Sequence, residues 1–429
     1  MTFKENLQEF LNEEEINELL NSLKEEDSHA VILNPQKMSD EEFLILFPNV
    51  KKHPYVEHAY IYDKNEYPLG KNICHELGCY YLQDPGAMLT ASLLNLKESD
   101  LVLDLCAAPG GKSIQSSFKM NNKGIIISND LSKPRTFSIV ENVERLGIKN
   151  IIVINNDFEK IYQNFKETFD IIILDAPCSG SGMFRKDDKM IEDWSINKVY
   201  KFQEIQKRLL EIAYEMLLPG GIISYSTCSY SKEENEDVIH HLLDKSDAEI
   251  VVLPNIEGAY INTKDPVGIR IMPHNFNGEG QYICQIRKPG NKKEHHYQEN
   301  ENRFKKLFPP LLENKDIQKY GDTYFAFDYH YQNRNLNVVR YGFKLASESK
   351  GIIKYDFHFA RTLKNNEFPT IELNDTEVID YIYGNVIYKE NNIKGYLLLT
   401  YKNKSVDIAK SDTHQIKNYY PKGLRKRLY

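Results

Sequence analysis

The chain has 429 residues, of which 41% are hydrophobic and 11% aromatic, and a net charge of −8. Its length predicts two or three domains, its composition excludes general disorder, and its charge argues against a uniformly basic nucleic-acid binder. With no run near the roughly 18 apolar residues of a membrane span, and six cysteines but no C-x-x-C pair, the expectation is a soluble, monomeric cytoplasmic protein without membrane or metal.

Residues 1–70 hold fifteen carboxylates against six lysines and no arginine. Leu7, Phe10, Leu11, Ile16, Leu19, Leu20 and Leu23 recur at helical spacing, and a loop rich in Pro and Tyr follows. This acidic region suits packing against a catalytic domain better than gripping phosphate. Residues 71–290 alternate strand and helix. Leu101 to Cys106, Gly124 to Asp130, Ile151 to Asp157, Phe169 to Asp175 and Gly221 to Ser226 are short apolar runs suited to a parallel sheet buried on both faces, which places the core in the α/β class. The clearest intervening helix runs from Ile196 to Leu218 and stops at Pro219-Gly-Gly221. A polar break begins at Lys288. Residues 291–365 are expected to form a small linking α+β domain and 366–429 a separate C-terminal domain. The last 28 residues hold eight Lys and Arg against Asp407 and Asp412, the local charge footprint that phosphate backbones select.

The expected site collects at strand ends, where open α/β sheets bind ligands. Asp104-Leu-Cys-Ala-Ala-Pro-Gly-Gly-Lys112-Ser is a strand-to-helix turn whose bare backbone can approach a ligand. It is not a phosphate loop, because position 106 is cysteine where glycine is required. Asp130, Asp157 and Asp175 are read as closing three successive strands, making an acceptor-rich crevice of nucleoside shape. Ordinary helix caps would explain one such Asp, seldom all three. Cys178 in Asp175-Ala-Pro-Cys-Ser-Gly-Ser-Gly and Cys228 in Tyr225-Ser-Thr-Cys-Ser-Tyr230 follow the next two strand runs, and two thiols at that edge point to covalent chemistry.

Cys-Ala-Ala-Pro-Gly-Gly-Lys, Asp-Ala-Pro-Cys-Ser-Gly-Ser-Gly and Ser-Thr-Cys-Ser resemble the signature blocks of the Sun-family RNA 5-methylcytosine methyltransferases. Tyr81-Leu-Gln-Asp-Pro-Gly-Ala-Met88, Arg270-Ile-Met-Pro-His274 and Gly278-Glu-Gly-Gln-Tyr282 support the match over about residues 80 to 288. Lys394-Gly-Tyr-Leu-Leu-Leu and Lys417-Asn-Tyr-Tyr-Pro-Lys-Gly-Leu-Arg425 are similar to the PUA-like RNA-binding module of the bacterial F-type small-subunit rRNA members. The resemblance implies a Rossmann-like class I S-adenosylmethionine-dependent methyltransferase core with a small N-terminal α+β domain. It implies that Cys228 attacks the base, that Cys178 assists breakdown of the covalent intermediate, and that Asp175 contacts both base and cofactor. For the cofactor it implies the turn of Cys106, Ala107, Ala108, Pro109, Gly110, Gly111 and Lys112, with Asp130 on the ribose, Asp157 near the adenine and Arg135 nearby.

The implied reaction suits these residue types. Carbon 5 of cytosine is a poor nucleophile until a thiolate adds at carbon 6, and a carboxyl group on ring nitrogen 3 or the exocyclic amine stabilises the charge that develops. Lys112, Arg185 or Lys186 could lower the thiol pKa. Met183, Phe184 and Trp194 could stack on a splayed base, although packing is the commoner role of such residues. The target base must be single-stranded or flipped out, and Lys417, Lys422 and Arg425, with Lys426, Arg427, Tyr419 and Tyr420, are expected to clamp flanking RNA. The expected partner is 16S rRNA or the small ribosomal subunit. A tRNA methyltransferase and a non-catalytic ribosome assembly factor are the alternatives; a DNA methyltransferase is disfavoured because its nucleophile would sit in the Pro-Cys block alone.

Overall fold

The structure is a computed structural model and describes residues 1–186, 189–292, 304–327, 335–365 and 367–425. Its centre is built from β1 (Leu101–Asp104), α1 (Gly111–Lys119), β2 (Ile125–Asn129), α2 (Lys133–Leu146), β3 (Ile151–Ile154), α3 (Phe158–Asn164), β4 (Phe169–Asp175), α4 (Ile196–Met216), β5 (Leu217–Thr227), α5 (Glu236–Leu243), β6 (Ile269–Ile271) and β7 (Gln281–Arg287). The isoleucine-rich runs become strands because helices cover both faces of the sheet, so every position must be apolar rather than every second one. All four residues of β3 and the first six of β4 are buried.

The strands lie in the order β6-β7-β5-β4-β1-β2-β3. Strands β1 to β5 are mutually parallel, and β7 runs antiparallel to both β5 and β6. Because β1 sits between β2 and β4, the order reverses there and a crevice opens at the carboxyl ends of these strands. Beneath it Asp104, at the end of β1, accepts from Ser113 Oγ (2.6 Å), whose hydroxyl also meets Ser128 Oγ (2.7 Å).

Several boundaries differ from the sequence expectation. The first helical run is two helices, Phe3–Leu7 and Glu13–Ser22, because Asn12 caps the second in a reciprocal pair with Glu15. The N-terminal sheet orders Lys51–Lys52, Ala59–Tyr62, His29–Leu33 and Tyr80–Gln83, so its last strand lies beyond residue 70. Helix α4 passes directly into β5, and Pro219-Gly-Gly221 falls inside that strand. The register against β4 shifts beside it, and Gly220 adopts φ +80°. Residues 291–365 do not stand apart: Val338–Arg340 pairs antiparallel with β3 at the edge of the central sheet, while Asp316–Tyr320, Thr323–Phe327, Phe343–Ser349 and Ile352–Tyr355 form their own antiparallel sheet.

The outer regions are welded to the centre and to each other. Asn6, buried in the first helix, donates to the Glu233 carboxylate (3.1 Å) and accepts from Ser231 Oγ (2.8 Å). Phe3 meets Phe184 and Trp194 edge-on at 5.0 and 5.5 Å, so these two aromatic residues pack between domains. The C-terminal five-stranded sheet shares one hydrophobic core with the N-terminal sheet, where Val31, Leu33 and Phe43 join Tyr381, Leu397, Leu399 and Tyr420. Arg361 lies under that junction, 1% exposed, with its guanidinium 4.5 Å from the Phe357 ring and donating to Ser405 O (2.9 Å) and Tyr420 Oη (3.3 Å).

Tyr420→Ala removes a ring packed among Phe357, Tyr381 and Arg361 and is expected to cost roughly 3–5 kcal/mol in chemical unfolding, with ligand binding at the distant crevice retained. Burial raises the Asp104 carboxyl to about 7, against the lowering by Ser113 and Lys112. The native protein therefore holds that proton more tightly than the unfolded chain, and stability falls as pH rises from about 4 through 7. Asp104→Asn is expected to flatten this part of the stability-against-pH curve, by at most about 4 kcal/mol relative to the parent chain.

Candidate active site

A crevice of about 720 Å³ opens at the switch point, lined by Cys106, Ala108, Asp130, Arg135, Asp175, Pro177, Cys178 and Cys228 together with Leu131, Ser132, Phe158, Met190, Lys198, Phe202 and Ile205. This volume is in the range of small-molecule and cofactor sites. The turn after β1 shapes one wall. Ala107 N–H donates to Asn129 O (2.7 Å), the Ala108–Pro109 peptide is cis, and Gly110 reaches φ +107°, a left-handed conformation that favours glycine, before α1 begins. Gly111 faces inward instead, because a Cβ there would meet Gln83 at 3.1 Å and Tyr81 at 3.3 Å.

The three aspartates separate. Asp130, 3% exposed, accepts Ala108 N–H (3.2 Å) on one oxygen and Ser132 N–H (2.9 Å) on the other, which fixes its carboxylate on the crevice wall with acceptor capacity to spare. Arg135 approaches it at 3.5 Å and donates to Ala108 O (2.7 Å). Asp157 lies elsewhere: β3 ends at Ile154, and Asp157 is the exposed N-cap of α3, accepting Lys160 N–H at 2.9 Å. It lines an adjoining depression with Glu159 and Arg208 rather than the crevice. The reading of three strand-closing Asp residues fails at this one, for the capping reason.

Asp175 ends β4 at the centre. It accepts from Lys112 Nζ (2.7 Å) on one oxygen, and from Ser226 Oγ (2.7 Å) and Gln281 Nε2 (3.3 Å) on the other. Burial disfavours the Lys112 charge, but Asp175 in contact and Asp104 nearby more than offset it, so the ammonium is held above its ordinary range. Of the three cations named from the sequence, Lys112 pairs with Asp175 at the centre of the site. Arg185 is engaged by Glu279 (2.8 Å) and by Gly278 O (3.1 Å).

The two cysteines meet. Cys178 Sγ and Cys228 Sγ are 2.7 Å apart as free thiols, both partly exposed to the crevice. Contact with Cys228, then burial, pushes the Cys178 thiol well above its ordinary range, so it stays protonated beside its partner. Burial and the neighbouring carboxylates raise Cys106 in the same direction. Among the described residues no group of three or more His, Cys, Asp or Glu could hold a metal ion, and no helix is long and apolar enough to cross a membrane.

The C-terminal basic residues divide by role. Lys417 and Lys422 are exposed. Arg425 instead packs over Gly384 and donates to Asn418 Oδ1 (3.3 Å) and Tyr420 O (3.4 Å), and Tyr420 is buried. Lys426 and Arg427 lie outside the described residues. Sequence reasoning passed over Glu234, Gln206 and Gln281, although the acidic run Glu233-Glu234-Asn235-Glu236 directly after the Thr-Cys block was a signal available for the first. The block around Arg270 is structural: its guanidinium forms a buried ion pair with Glu236 and stacks 4.4 Å from Phe10.

Comparison with known proteins agrees with this arrangement. Residues 91–287 match the family described as 16S rRNA methyltransferase RsmB/F, residues 368–426 the methyltransferase RsmF PUA domain, and residues 1–85 the N-terminal domain of 16S rRNA methyltransferase RsmF. The chain is 32% identical to ribosomal RNA small subunit methyltransferase F of Vibrio vulnificus strain YJ016 over 389 residues, covering 84% of this chain and 82% of that one. It is 30% identical to the protein of the same name from Shewanella piezotolerans over 434 residues, covering 92% and 91%. Among solved structures, a methyltransferase homolog from Pyrococcus horikoshii matches with TM-score 0.59 and 29% identity over 66% of this chain and 93% of that one. NSun6 from the same organism shares the fold at TM-score 0.61 and 23% identity, over 67% and 98%. From the crevice at the strand-order reversal to the PUA domain at the C-terminus, the chain belongs to the 16S rRNA methyltransferase RsmB/F family and carries the domain set of its RsmF members.

Proposed function

We propose that this protein transfers a methyl group from S-adenosylmethionine to carbon 5 of a cytosine in 16S rRNA, through a covalent bond between Cys228 and carbon 6 of the base. The observation that carries the reading is the pair of free thiols in contact beside the Lys112–Asp175 ion pair. The residues of the crevice fit the cofactor. Asp130 presents a fixed acceptor to ribose hydroxyls, Ala108 and the turn around it bring backbone close, and Leu131, Phe158 and Ile205 offer apolar surface to a purine. The cofactor supplies an electrophilic methyl group on a sulfonium.

The Cys228 thiolate adds to carbon 6 and transfers electron density toward carbon 5, beside the ion pair of Lys112 and Asp175. Asp175, held by Lys112, Ser226 and Gln281, accepts from the exocyclic amine and stabilises the charge in the ring. After methylation the bond from carbon 5 to its proton and the Cys228–carbon 6 bond break together and restore the ring double bond. Cys178, touching the Cys228 sulfur, is placed to give its proton to the departing thiolate, and the proton released from carbon 5 passes to solvent water in the crevice and restores the Cys178 thiol. Lys198 and Phe202 also line the crevice and are proposed to border the base. The exposed Lys417 and Lys422 of the C-terminal domain are proposed as phosphate contacts, with the N-terminal region, through the strand Tyr80–Gln83, as an accessory part and the C-terminal sheet as the RNA-binding part.

Incubation with S-adenosylmethionine labelled in the methyl group, and with total RNA or small ribosomal subunits from cells lacking this protein, is expected to yield labelled 5-methylcytosine in 16S rRNA. Label in tRNA alone would replace the substrate, and absence of label despite cofactor binding would replace catalysis by an assembly role. Cys228→Ala is expected to abolish transfer, lowering the rate by at least about 1,000-fold, whereas Cys178→Ala should accumulate protein covalently attached to RNA, resolved as a shifted band on denaturing gels. The opposite pattern would reverse the two roles.

A further inference from the structure

Cys178 and Cys228 lie on loops leaving different strands, and chain connectivity alone does not hold their sulfurs at 2.7 Å. Each is followed by a serine, and the hydroxyls of both serines bind one carboxylate. Ser179 Oγ and Ser229 Oγ each donate to Glu234 Oε2 at 2.5 Å, with the two hydroxyls 3.2 Å apart. Glu234 Oε1 accepts Ser179 N–H (2.8 Å) and Gln206 Nε2 (3.0 Å), and the same Gln206 amide donates to Pro177 O (2.8 Å), directly before Cys178.

Glu234 is itself buried and anchored at its backbone and through its neighbour. It is 0% exposed, the Tyr225 hydroxyl donates to its backbone carbonyl (2.6 Å), and its neighbour Glu233 is held by Asn6 of the first helix. Burial raises its carboxyl above the ordinary carboxylate range, against the lowering by Ser179, Ser229 and Gln206. It is not among the residues that line the crevice. A carboxylate this deep costs several kcal/mol to desolvate, and a core that needed only volume would be served by an apolar side chain. What the carboxylate supplies is a rigid acceptor for donors from both cysteine loops at once.

We propose that Glu234 is a positioning residue, a buried clasp that sets the separation of Cys178 and Cys228 by binding the serine that follows each. The consequence for turnover rests on the cytosine chemistry proposed above; the consequence for the thiol separation does not.

The test uses the full chain with Glu234→Gln, which keeps the volume but loses the charge and one acceptor, and Ser229→Ala, which removes a single donor. In RNA-free protein, diamide oxidises the two thiols to a disulfide, and the rate at which the linked peptides appear in mass spectrometry measures how well the pair is held. The clasp predicts that Glu234→Gln slows linkage by roughly 10- to 100-fold, with kcat for methyl transfer falling in parallel while KM for S-adenosylmethionine stays within about twofold, and that Ser229→Ala is intermediate. Unchanged linkage rates in both variants would overturn it, as would a fall in kcat without slower linkage. Slower linkage in a protein whose unmutated form methylates no RNA would uphold the clasp and refute the proposed reaction. If Glu234→Gln does not fold, Ser229→Ala decides by the same two rates.

Discussion

Parallel pairing of β4 with β5 is the constraint on which the site depends. Asp175 lies opposite Ser226 in that register, and the Ser226 hydroxyl closes the pairing with a 2.7 Å bond to the Asp175 carboxylate. Each chain then runs two or three residues further before its cysteine, so the register that aligns the strands also brings Cys178 and Cys228 to the same height above the sheet. Neighbouring strands stand about 4.8 Å apart, close enough for cysteine side chains from adjacent strands to meet, and the hydrogen bonds around Glu234 hold the two loops in that arrangement. The bulge at Gly220 lies at the opposite end of β5 and leaves this register undisturbed.

Charge is arranged in two layers around the thiols. Above the sheet Lys112 and Asp175 form an ion pair that is partly open to the crevice, so it can exchange a protein partner for a ligand without leaving a buried charge alone. Below, Asp104 and Glu234 are buried carboxyls that each accept from serine hydroxyls and are raised above their ordinary range. The upper layer is suited to chemistry and the lower to holding geometry. The two layers meet at Lys112, whose charge is held by Asp175 and Asp104 together.

The flanking regions act through packing as much as through charge. Phe3 and Asn6 of the N-terminal helix press on the loop that carries the second cysteine block, while the N-terminal sheet and the C-terminal sheet bury one another's apolar faces. A shared core of this kind makes the C-terminal domain a fixed platform rather than a tethered clamp. Its basic residues divide accordingly: Arg425 is consumed by holding the last turn, leaving Lys417 and Lys422 at the surface.

Continuous isoleucine runs identified the five parallel strands, because only a sheet covered on both faces tolerates such runs, and the turn at Cys106 to Lys112 and the two Cys-Ser blocks marked where their ends lie. Asp130 and Asp175 followed from position at those ends. Asp157 did not, since an Asp before a helix reads alike as ligand or cap until the strand is seen to stop at Ile154. The sequence by itself thus determined the fold class, the family blocks that carry the two cysteines, and the crevice edge, all of which depend on local pattern. Only the tertiary structure decided that the two thiols touch, that Lys112 pairs with Asp175, and that Glu234 joins the two cysteine loops. Those contacts span 50, 63 and 55 residues and arise from strand register and interdomain packing, which no local pattern encodes.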